Sequence, residues 1–544
     1  MQIPSSISNN FRFLLLEVSS QLKHLQTYFD EESASAASRI VDRSGYAHNL
    51  MLYIHNACTR QIALNDENDS MSMRAIASIA TDLKRIAELC RECIHQLGYL
   101  RKSHKLDLSS YNSLLSKVSS SIPYIEKALL DNDTELALKL GRTEKKLYKS
   151  YQSLLKKYTE KLKQKNYTED LVTGLFVASN IEQMGDTLLN ISESIIASNI
   201  GQPMDFHRFE SLRNSITTWA DAEALSSVEV QPISETHSGS GVSSISYLDD
   251  NKVTQQAIFK NGKKRKLKKE FDSVTSWHNV FPGVAPKVFS YNKSGDSAAL
   301  LIEQLQGLTF EKIALHGVED LRQKAMKTLI NTLYSIWQQT TSANIVGANF
   351  VGQIRDRLDE VYATHPYLNR QDASVCGAPF ASFDDLLAPA EDLEQKFQAP
   401  FSVFIHGDFN IDNIIYDIEQ DKISFIDLHR STYMDYVQDV SVFMVSNYRL
   451  QVRDVEVRER IRHQVQNIYD GASEFASLHG DTSFDVRLAF GLARSFSTSI
   501  RFILDKSMAR LMFFRARYLL EQLTHASAKD LAAYRIPLKE LFRD

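Results

Sequence analysis

The sequence runs to 544 residues, 43% of them hydrophobic, with 62 basic against 67 acidic side chains and a net charge of −5. A chain of this length exceeds one ordinary domain, and so even a charge balance gives no reason to expect nucleic acid or a membrane surface as partner. Four cysteines without a regular framework fit a reducing compartment, and no apolar run reaches the length of a membrane span, so a cytoplasmic protein without an integral membrane segment is expected.

From about Asn10 to about Ser198 proline and glycine almost vanish and apolar residues recur every three or four positions, as in FRFLLLEVSSQLKHLQTYF. That spacing predicts successive amphipathic helices. Breaks at Asp30–Ser35, Asn65–Ser72, around Leu106–Ser109, at Asp131–Asp133 and near Gln164–Thr168 divide the stretch into about six of them. Cys90 and Cys93 form a CxxC inside one such helix with no second pair, which reads as two buried thiols, not as a zinc or redox site.

Two segments of this region sit at matching places about a hundred residues apart, Asp82–Glu88 (DLKRIAE) and Asn180–Asp186 (NIEQMGD). They resemble the PhoU family, whose duplicated three-helix bundle carries a DLERIGD-like signature in each half. On a helix Glu182, Asp186 and Asn190 fall at i, i+4 and i+8, so their oxygens share a face. The resemblance implies a second divalent metal or iron there. Two departures bear on this, leaving a plausible site in the second half and a doubtful one in the first: Lys84 stands where the first copy would have a glutamate, and Gln183 where the second would have an arginine. A cation in a carboxylate cluster repels a metal or replaces its charge with an internal salt bridge.

Gly201-Gln202-Pro203 should stop the last bundle helix, after which FHRFESLRNSITTWADAEAL regains helical spacing as a connector. The pattern then changes to short strands. VEVQPISETHSGSGVSSISYLDD offers two strands around a turn of small residues, where Gly239, Ser240, Gly241, Ser243 and Ser244 would let backbone amides approach phosphates. The strand TQQAIFK ends in Lys260, and Glu270 follows ten residues later on a predicted helix. Between them Lys263–Lys269 is basic at all positions but Leu267 and reads as a solvated charge run.

The stretch Phe404–Ser431 carries the chemistry: His406-Gly407-Asp408, then Asn413, then a hairpin ending at Asp427. A carboxylate, a carboxamide five residues on and a second carboxylate after a hairpin suit phosphoryl transfer. Asp408 would orient an attacking hydroxyl and take its proton, and Asn413 and Asp427 would hold Mg²⁺. HGDxxxxN followed by an IDxx segment resembles the aminoglycoside phosphotransferase and choline-kinase-like enzymes, relatives of the protein kinases. The resemblance implies that Lys260 contacts the ATP phosphates and pairs with Glu270. It also implies that Glu303 to Leu305 in SAALLIEQLQGLTF meet the adenine edge, and that Gly307 ends this hinge. His406 and Asp439 would be structural, Asp439 capping the catalytic loop, while Asp435 is open to a place on the surface. Related enzymes that modify aminoglycosides use acidic pockets. Here the helical stretch GLARSFSTSIRFILDKSMARLMFFRARYLL carries Arg494, Arg501, Arg510, Arg515 and Arg517 instead. Arginines facing the cleft would favour an anionic or neutral hydroxyl compound.

The expected architecture is an all-α PhoU-like bundle of two three-helix repeats (1–200), a connecting helix or linker (201–227), and an α+β bilobal protein-kinase-like domain with an N-lobe (228–306) and a helical C-lobe (307–544). The expected activity is an ATP- and Mg²⁺-dependent transfer of the γ-phosphoryl group to a small-molecule hydroxyl, under a PhoU-like regulatory domain. The alternative is a slow or non-catalytic ATP-binding regulator of phosphate transport or signalling. A phosphate-transporter or sensor protein is the expected partner, and a homo-oligomer is compatible with either reading.

Overall fold

The computed structural model of the protein describes residues 4–543 apart from 44, 65–66, 102–105, 107, 165–166, 202, 218, 220–228, 236–240, 249–253, 295, 370–372 and 376–377. The described residues form two compact units, one up to Gln255 and the other from Gln256 onward.

The first unit is helical: α1 (Ser5–Glu31), α2 (Ala34–Asp42), α3 (Tyr46–Leu64), α4 (Glu67–Leu97), α5 (Leu108–Ser119), α6 (Pro123–Leu130), α7 (Thr134–Leu162), α8 (Thr168–Ile200) and α9 (Phe206–Ile216), followed by the antiparallel hairpin β1 (Glu229–Glu235) and β2 (Gly241–Leu248). Eight described helices precede residue 201, where the spacing predicts about six. The additional breaks lie between Asp42 and Tyr46 and between Ser119 and Pro123. Apolar spacing runs on through both, so periodicity alone misses them. Pro123 sits in the first turn of α6, where its missing N–H has no helical partner to lose. Asp133 and Asp205 cap α7 and α9 by accepting the amides of Leu136 (2.9 Å) and Arg208 (2.7 Å), each worth about 1 kcal/mol.

Helices α4 and α8 bring the two repeated segments face to face in antiparallel order. The carboxylate of Asp82 meets the side chain of Asn190, and Nη2 of Arg85 donates to Gln183 (3.2 Å). Between them Leu83, Ile86, Ile181, Met184 and Leu188 are fully buried. Cys90 and Cys93 belong to this same core as free thiols, and burial pushes the pKa of both up. They pack as small groups within that core.

The second unit opens within β3 (Thr254–Lys263) and continues through α10 (Lys264–Val280), β4 (Val288–Ser294) and β5 (Ser297–Glu303). Strand β5 lies between β3 and β4, antiparallel to both. Leu267 of α10 packs on Ala298, Leu300 and Ile302, which fixes the helix against the sheet. The chain then passes through β6 (Leu308–Thr309), α11 (Phe310–His316), α12 (Glu319–Thr340), α13 (Phe350–Thr364), the short pair β7 (Ala373–Val375) and β8 (Ala378–Phe380), and α14 (Leu387–Glu394). Strands β9 (Val403–Ile405), β10 (Ile414–Asp417), β11 (Lys422–Phe425) and β12 (Thr432–Met434) follow. The unit ends in α15 (Val437–Tyr448), α16 (Val455–Leu478), α17 (Phe484–Ser499), α18 (Lys506–His525), α19 (Ala528–Ala532) and α20 (Leu538–Leu541).

Strand β10 is paired on one side with β11 and on the other with β6. That second pairing needs Gly307. Its φ is 118°, and a Cβ there would stand 2.3 Å from the carbonyl oxygen of Tyr416. One continuous core joins α10, α12, the strands around the hairpin and α15 to α18, with Trp277, Trp337, Phe409, Phe425 and Phe443 fully buried. Among the described residues, no helix is long and apolar enough to cross a membrane.

The arginine-rich stretch expected as one helix is broken. Helix α17 ends at Ser499, a tight turn covers Ile500–Phe502, and α18 begins at Lys506 with Asp505 accepting the amide of Met508 (2.8 Å). The capping aspartate restarts the helix in a new direction, and apolar spacing does not register it.

Candidate active site

Strand β9 delivers His406-Gly407-Asp408 to a loop that is tied down from several sides. Gly407 has φ 82°, and a Cβ there would lie 2.4 Å from the carbonyl oxygen of Arg430, so only glycine lets the two backbones pass. Asp439, in the first turn of α15, accepts the amides of His406 (2.7 Å) and Gly407 (2.8 Å) with its two oxygens. Burial nevertheless pushes its pKa up to about 7, with those two donors opposing. Nδ1 of His406 accepts the amide of Asp408 (3.2 Å), which puts the ring proton on Nε2, facing the carbonyl of Ile426 (2.9 Å). Burial holds this imidazole below its ordinary pKa, so it is neutral.

The residues after the loop fold back on it. Nδ2 of Asn413 donates to the backbone carbonyl of Asp408 (2.9 Å), and the amide of Ile426 donates to the carbonyl of Asn413 (3.0 Å). The hairpin β10–β11 turns at Asp421 and returns the chain to Asp427, which has φ 59°, a left-handed conformation costly for a residue with a side chain. Asp408, Asn413 and Asp427 are thereby gathered by backbone bonds. Nδ2 of Asn410, a contact sequence spacing does not reveal, donates to Oδ1 of Asp408 (2.9 Å).

Lys260 lies on β3 in register with Leu300, and its ammonium forms an ion pair with Glu270 of α10 and stands 3.8 Å from Oδ1 of Asp427. Glu270 is only 2% exposed. Burial works against the charge on Lys260, but Glu270 and then Asp427 outweigh it and hold its pKa above the usual lysine value. Burial likewise disfavours the Asp427 carboxylate. The hydrogen bond from His429 (3.2 Å) and the charge of Lys260 still hold it well below the usual carboxylate range. Helix α10 touches the Asp408 loop too: the indole of Trp277 donates to Ser431 (2.8 Å), whose hydroxyl donates to the carbonyl of His406 (3.2 Å).

The remaining expected residues are more scattered. Gly239 and Ser240 lie outside the described residues, and Gly241 begins β2. Ser243 is fully buried and its hydroxyl accepts from Arg208 of α9 (2.9 Å), while Ser244 is half-buried. Glu303 closes β5, its carboxylate accepting the amide of Lys287 (3.0 Å), and Leu305 follows half-buried. In the helical unit Glu182 and Asp186 are both pushed up in pKa, by burial and, for Glu182, by Asp186 and by Glu144 of α7. Asn190 is engaged with Asp82. Lys84 pairs with Glu88 (2.6 Å), the internal salt bridge that its place in the repeat suggested. Among the described residues no three His, Cys, Asp or Glu side chains are gathered so as to hold a metal ion.

Asp435, left open as a surface position, is corrected: it is 1% exposed and, with Asp481, forms a buried ion-pair triad around Arg487 of α17. A carboxylate is tolerated at that depth because a guanidinium meets it. Tyr436 also donates to Asp481 (2.7 Å). Of the arginines of the broken stretch, Arg515 reaches the carbonyls of Leu541 and Arg543, Arg517 pairs with Glu521, and Arg501 pairs with Glu360. Only Arg494 belongs to the surroundings of Asp408, whose charge it feels together with those of Arg430 and Asp439. Arg430 itself stands 3.4 Å from Oδ1 of Asp408.

Residues 258–475 match the phosphotransferase enzyme family, and residues 112–195 match the PhoU domain. The phosphate-specific transport system accessory protein PhoU of Serratia marcescens is 25% identical over 192 residues, 34% of this chain and 78% of that protein. Similar solved structures include the phosphate transport system regulatory protein PhoU of Streptococcus pneumoniae (17% identity, TM-score 0.34, 37% of this chain and 96% of that one). They also include an ethanolamine kinase of Plasmodium vivax (16% identity, TM-score 0.34, 62% of this chain and 86% of that one). The chain thus carries a segment that matches the PhoU domain, followed by one that matches the phosphotransferase enzyme family.

Proposed function

We propose that the protein is an ATP- and Mg²⁺-dependent phosphotransferase acting on the hydroxyl of a small molecule, with the PhoU-like bundle (1–200) and connector (201–227) regulating a two-lobed catalytic part (228–306 and 307–544). The observation that carries this reading is Lys260, held between Glu270 and Asp427 in the same unit as the Asp408 loop. A preformed cation beside an ionised carboxylate suits a nucleotide triphosphate and its metal.

Asp408 takes the proton of the acceptor hydroxyl as its oxygen bonds to the γ-phosphorus and the bond to the β–γ bridging oxygen breaks, releasing ADP. Asn410 and Arg430 hold its carboxylate in place. Asn413 and Asp427 fit Mg²⁺: Nδ2 of Asn413 is committed to Asp408, which leaves Oδ1 as donor atom, and Asp427 stays ionised. The metal, when bound, neutralises phosphate charge. Lys260 contacts the phosphates and residues Glu303 to Leu305 the adenine edge. His406 and Asp439 keep the loop in shape. We read the bundle as docking on a phosphate-transport protein, in keeping with its similarity to a phosphate-specific transport system accessory protein, in a cytoplasmic setting.

Asp408→Asn tests the assignment. It should lower kcat by about 10²–10⁴-fold while moving the Kd for ATP by less than about twofold. Unchanged turnover would remove Asp408 from the reaction and with it this reading.

A further inference from the structure

Helix α17 carries two arginines seven residues apart on one face, and only the first has its charge met. Arg487 is enclosed by Asp435 and Asp481. Arg494, two turns on, has its Nε and Nη2 fully buried with no hydrogen-bond partner among the described residues, and its guanidinium lies 5.7 Å from the ring centre of Phe350. The carboxylates that reach it are already engaged: Asp439 by two backbone amides, Asp408 by Asn410 and Arg430. Burial pushes its pKa down to about 10, with Asp408 opposing, so at neutral pH it remains a cation. Buried guanidinium N–H groups without acceptors are costly and uncommon, and beside a reaction centre they mark a place where a ligand supplies the acceptor.

A second guanidinium stands nearby. Arg430 is half-exposed beside Asp408, and the concavity it lines carries Lys269 and His429 together with one acid, Asp272. The charge of Arg430 extends to Arg501, where α17 ends. A guanidinium presents its donors in a fork that matches the planar oxygens of a carboxylate or the oxygens of a phosphate.

We propose that the acceptor of this phosphotransferase is a hydroxyl compound bearing an oxyanion, a carboxylate or phosphate, received by Arg494 and Arg430 so that its hydroxyl faces Asp408. This rests on the phosphotransferase reading and adds its substrate class. An amine at the same place meets two guanidinium groups and is repelled.

The test uses the full chain with ATP and Mg²⁺ and compounds sharing one skeleton: glycerol, glycerate, glycerol 3-phosphate and 3-amino-1,2-propanediol, then the six-carbon set glucitol, gluconate, glucitol 6-phosphate and glucamine. In one set or the other, an anionic member should exceed its neutral counterpart by at least about tenfold in kcat/KM, with the amine lowest. The two anions separate a carboxylate from a phosphate acceptor. Arg494→Gln should raise KM for the anionic compound at least about tenfold while moving that of the neutral one less than about twofold, and Arg494→Lys should retain part of the preference. A preference for the amine, equal use of anion and neutral compound, or a ratio that Arg494→Gln leaves unchanged overturns the proposal. If neither set is phosphorylated, calorimetry with the same anions decides. Binding that Arg494→Gln weakens at least about tenfold upholds the anion site, and absent or unaffected binding overturns it. The phosphotransferase reading fails by a separate result, ADP formation that survives Asp408→Asn.

Discussion

Glu270→Gln isolates what the ion pair does for Lys260. The substitution keeps the side chain's shape at a position 2% exposed and removes only the charge. A hydrogen bond to a charged group is worth about 1.5–3 kcal/mol, so ATP should bind about ten- to a hundredfold more weakly at neutral pH if Glu270 fixes the lysine for the phosphates. The pH dependence carries a second, independent sign. Burial drives the pKa of Lys260 down, and Glu270 is the first of the two carboxylates that lift it above the ordinary value. With Asp427 alone at 3.8 Å, burial is less opposed and the pKa falls. The charged form exists below that pKa, so both ATP affinity and the stability contributed by the pair are present at low pH and lost as pH rises through the folded-state value. In the variant that loss comes at lower pH than in the parent chain. Calorimetric titration of ATP between about pH 7 and 10, a range over which the parent lysine stays charged, reads both effects, the second as an alkaline weakening that only the variant shows. A Kd within about twofold of the parent and an unmoved alkaline limb would refute the idea that this pair prepares the lysine.

Three further outcomes follow from the same physics. Arg487→Met strands two buried carboxylates, Asp435 and Asp481, and should destabilise the second unit by about 3–5 kcal/mol in urea unfolding, with partial recovery when both are also changed to Asn. Asp82, buried against Asn190, has its pKa pushed up to about 6. A raised carboxyl contributes stability that is present below its unfolded pKa and lost as pH rises through about 6, so Asp82→Asn should flatten the pH–stability curve of the bundle between about pH 4 and 6 and stabilise it at pH 8 by up to about 3 kcal/mol. Gly407→Ala forces a Cβ to 2.4 Å from the carbonyl oxygen of Arg430 at φ 82° and should cost about 1–3 kcal/mol in unfolding midpoint, with kcat falling more steeply than KM rises because the displaced loop carries Asp408.

What could be read from the sequence divides along sequence distance. Strands β9 to β11, Asp408, Asn413 and Asp427 sit within about two dozen residues, where turn chemistry and alternation speak directly. Most bundle helices announce themselves by spacing, but α2 and α6 do not, because apolar periodicity runs through their short boundaries. Arg430 escaped, and Arg494 stood undistinguished among five candidate arginines, for a different reason. Nothing local separates Arg494 from Arg510, Arg515 or Arg517, and only the packing of α17 beside the Asp408 loop leaves it without an acceptor while others find theirs. Asp435 likewise looks like a surface carboxylate until Arg487 arrives from about fifty residues away. The repeated segments were legible as a pair, yet which residue of one copy meets which of the other, Asp82 with Asn190 and Arg85 with Gln183, depends on the antiparallel register of α4 and α8.

Helix α10 has a consequence beyond its own packing. Glu270 and Trp277 lie two turns apart on one face, the first gripping the lysine of the sheet and the second reaching His406 through Ser431. A rotation of this one rigid rod cannot loosen the lysine and leave the Asp408 loop undisturbed. The two halves of the proposed site are geared together, so on that reading whatever turns α10 turns activity as a single quantity instead of trading nucleotide grip against proton transfer.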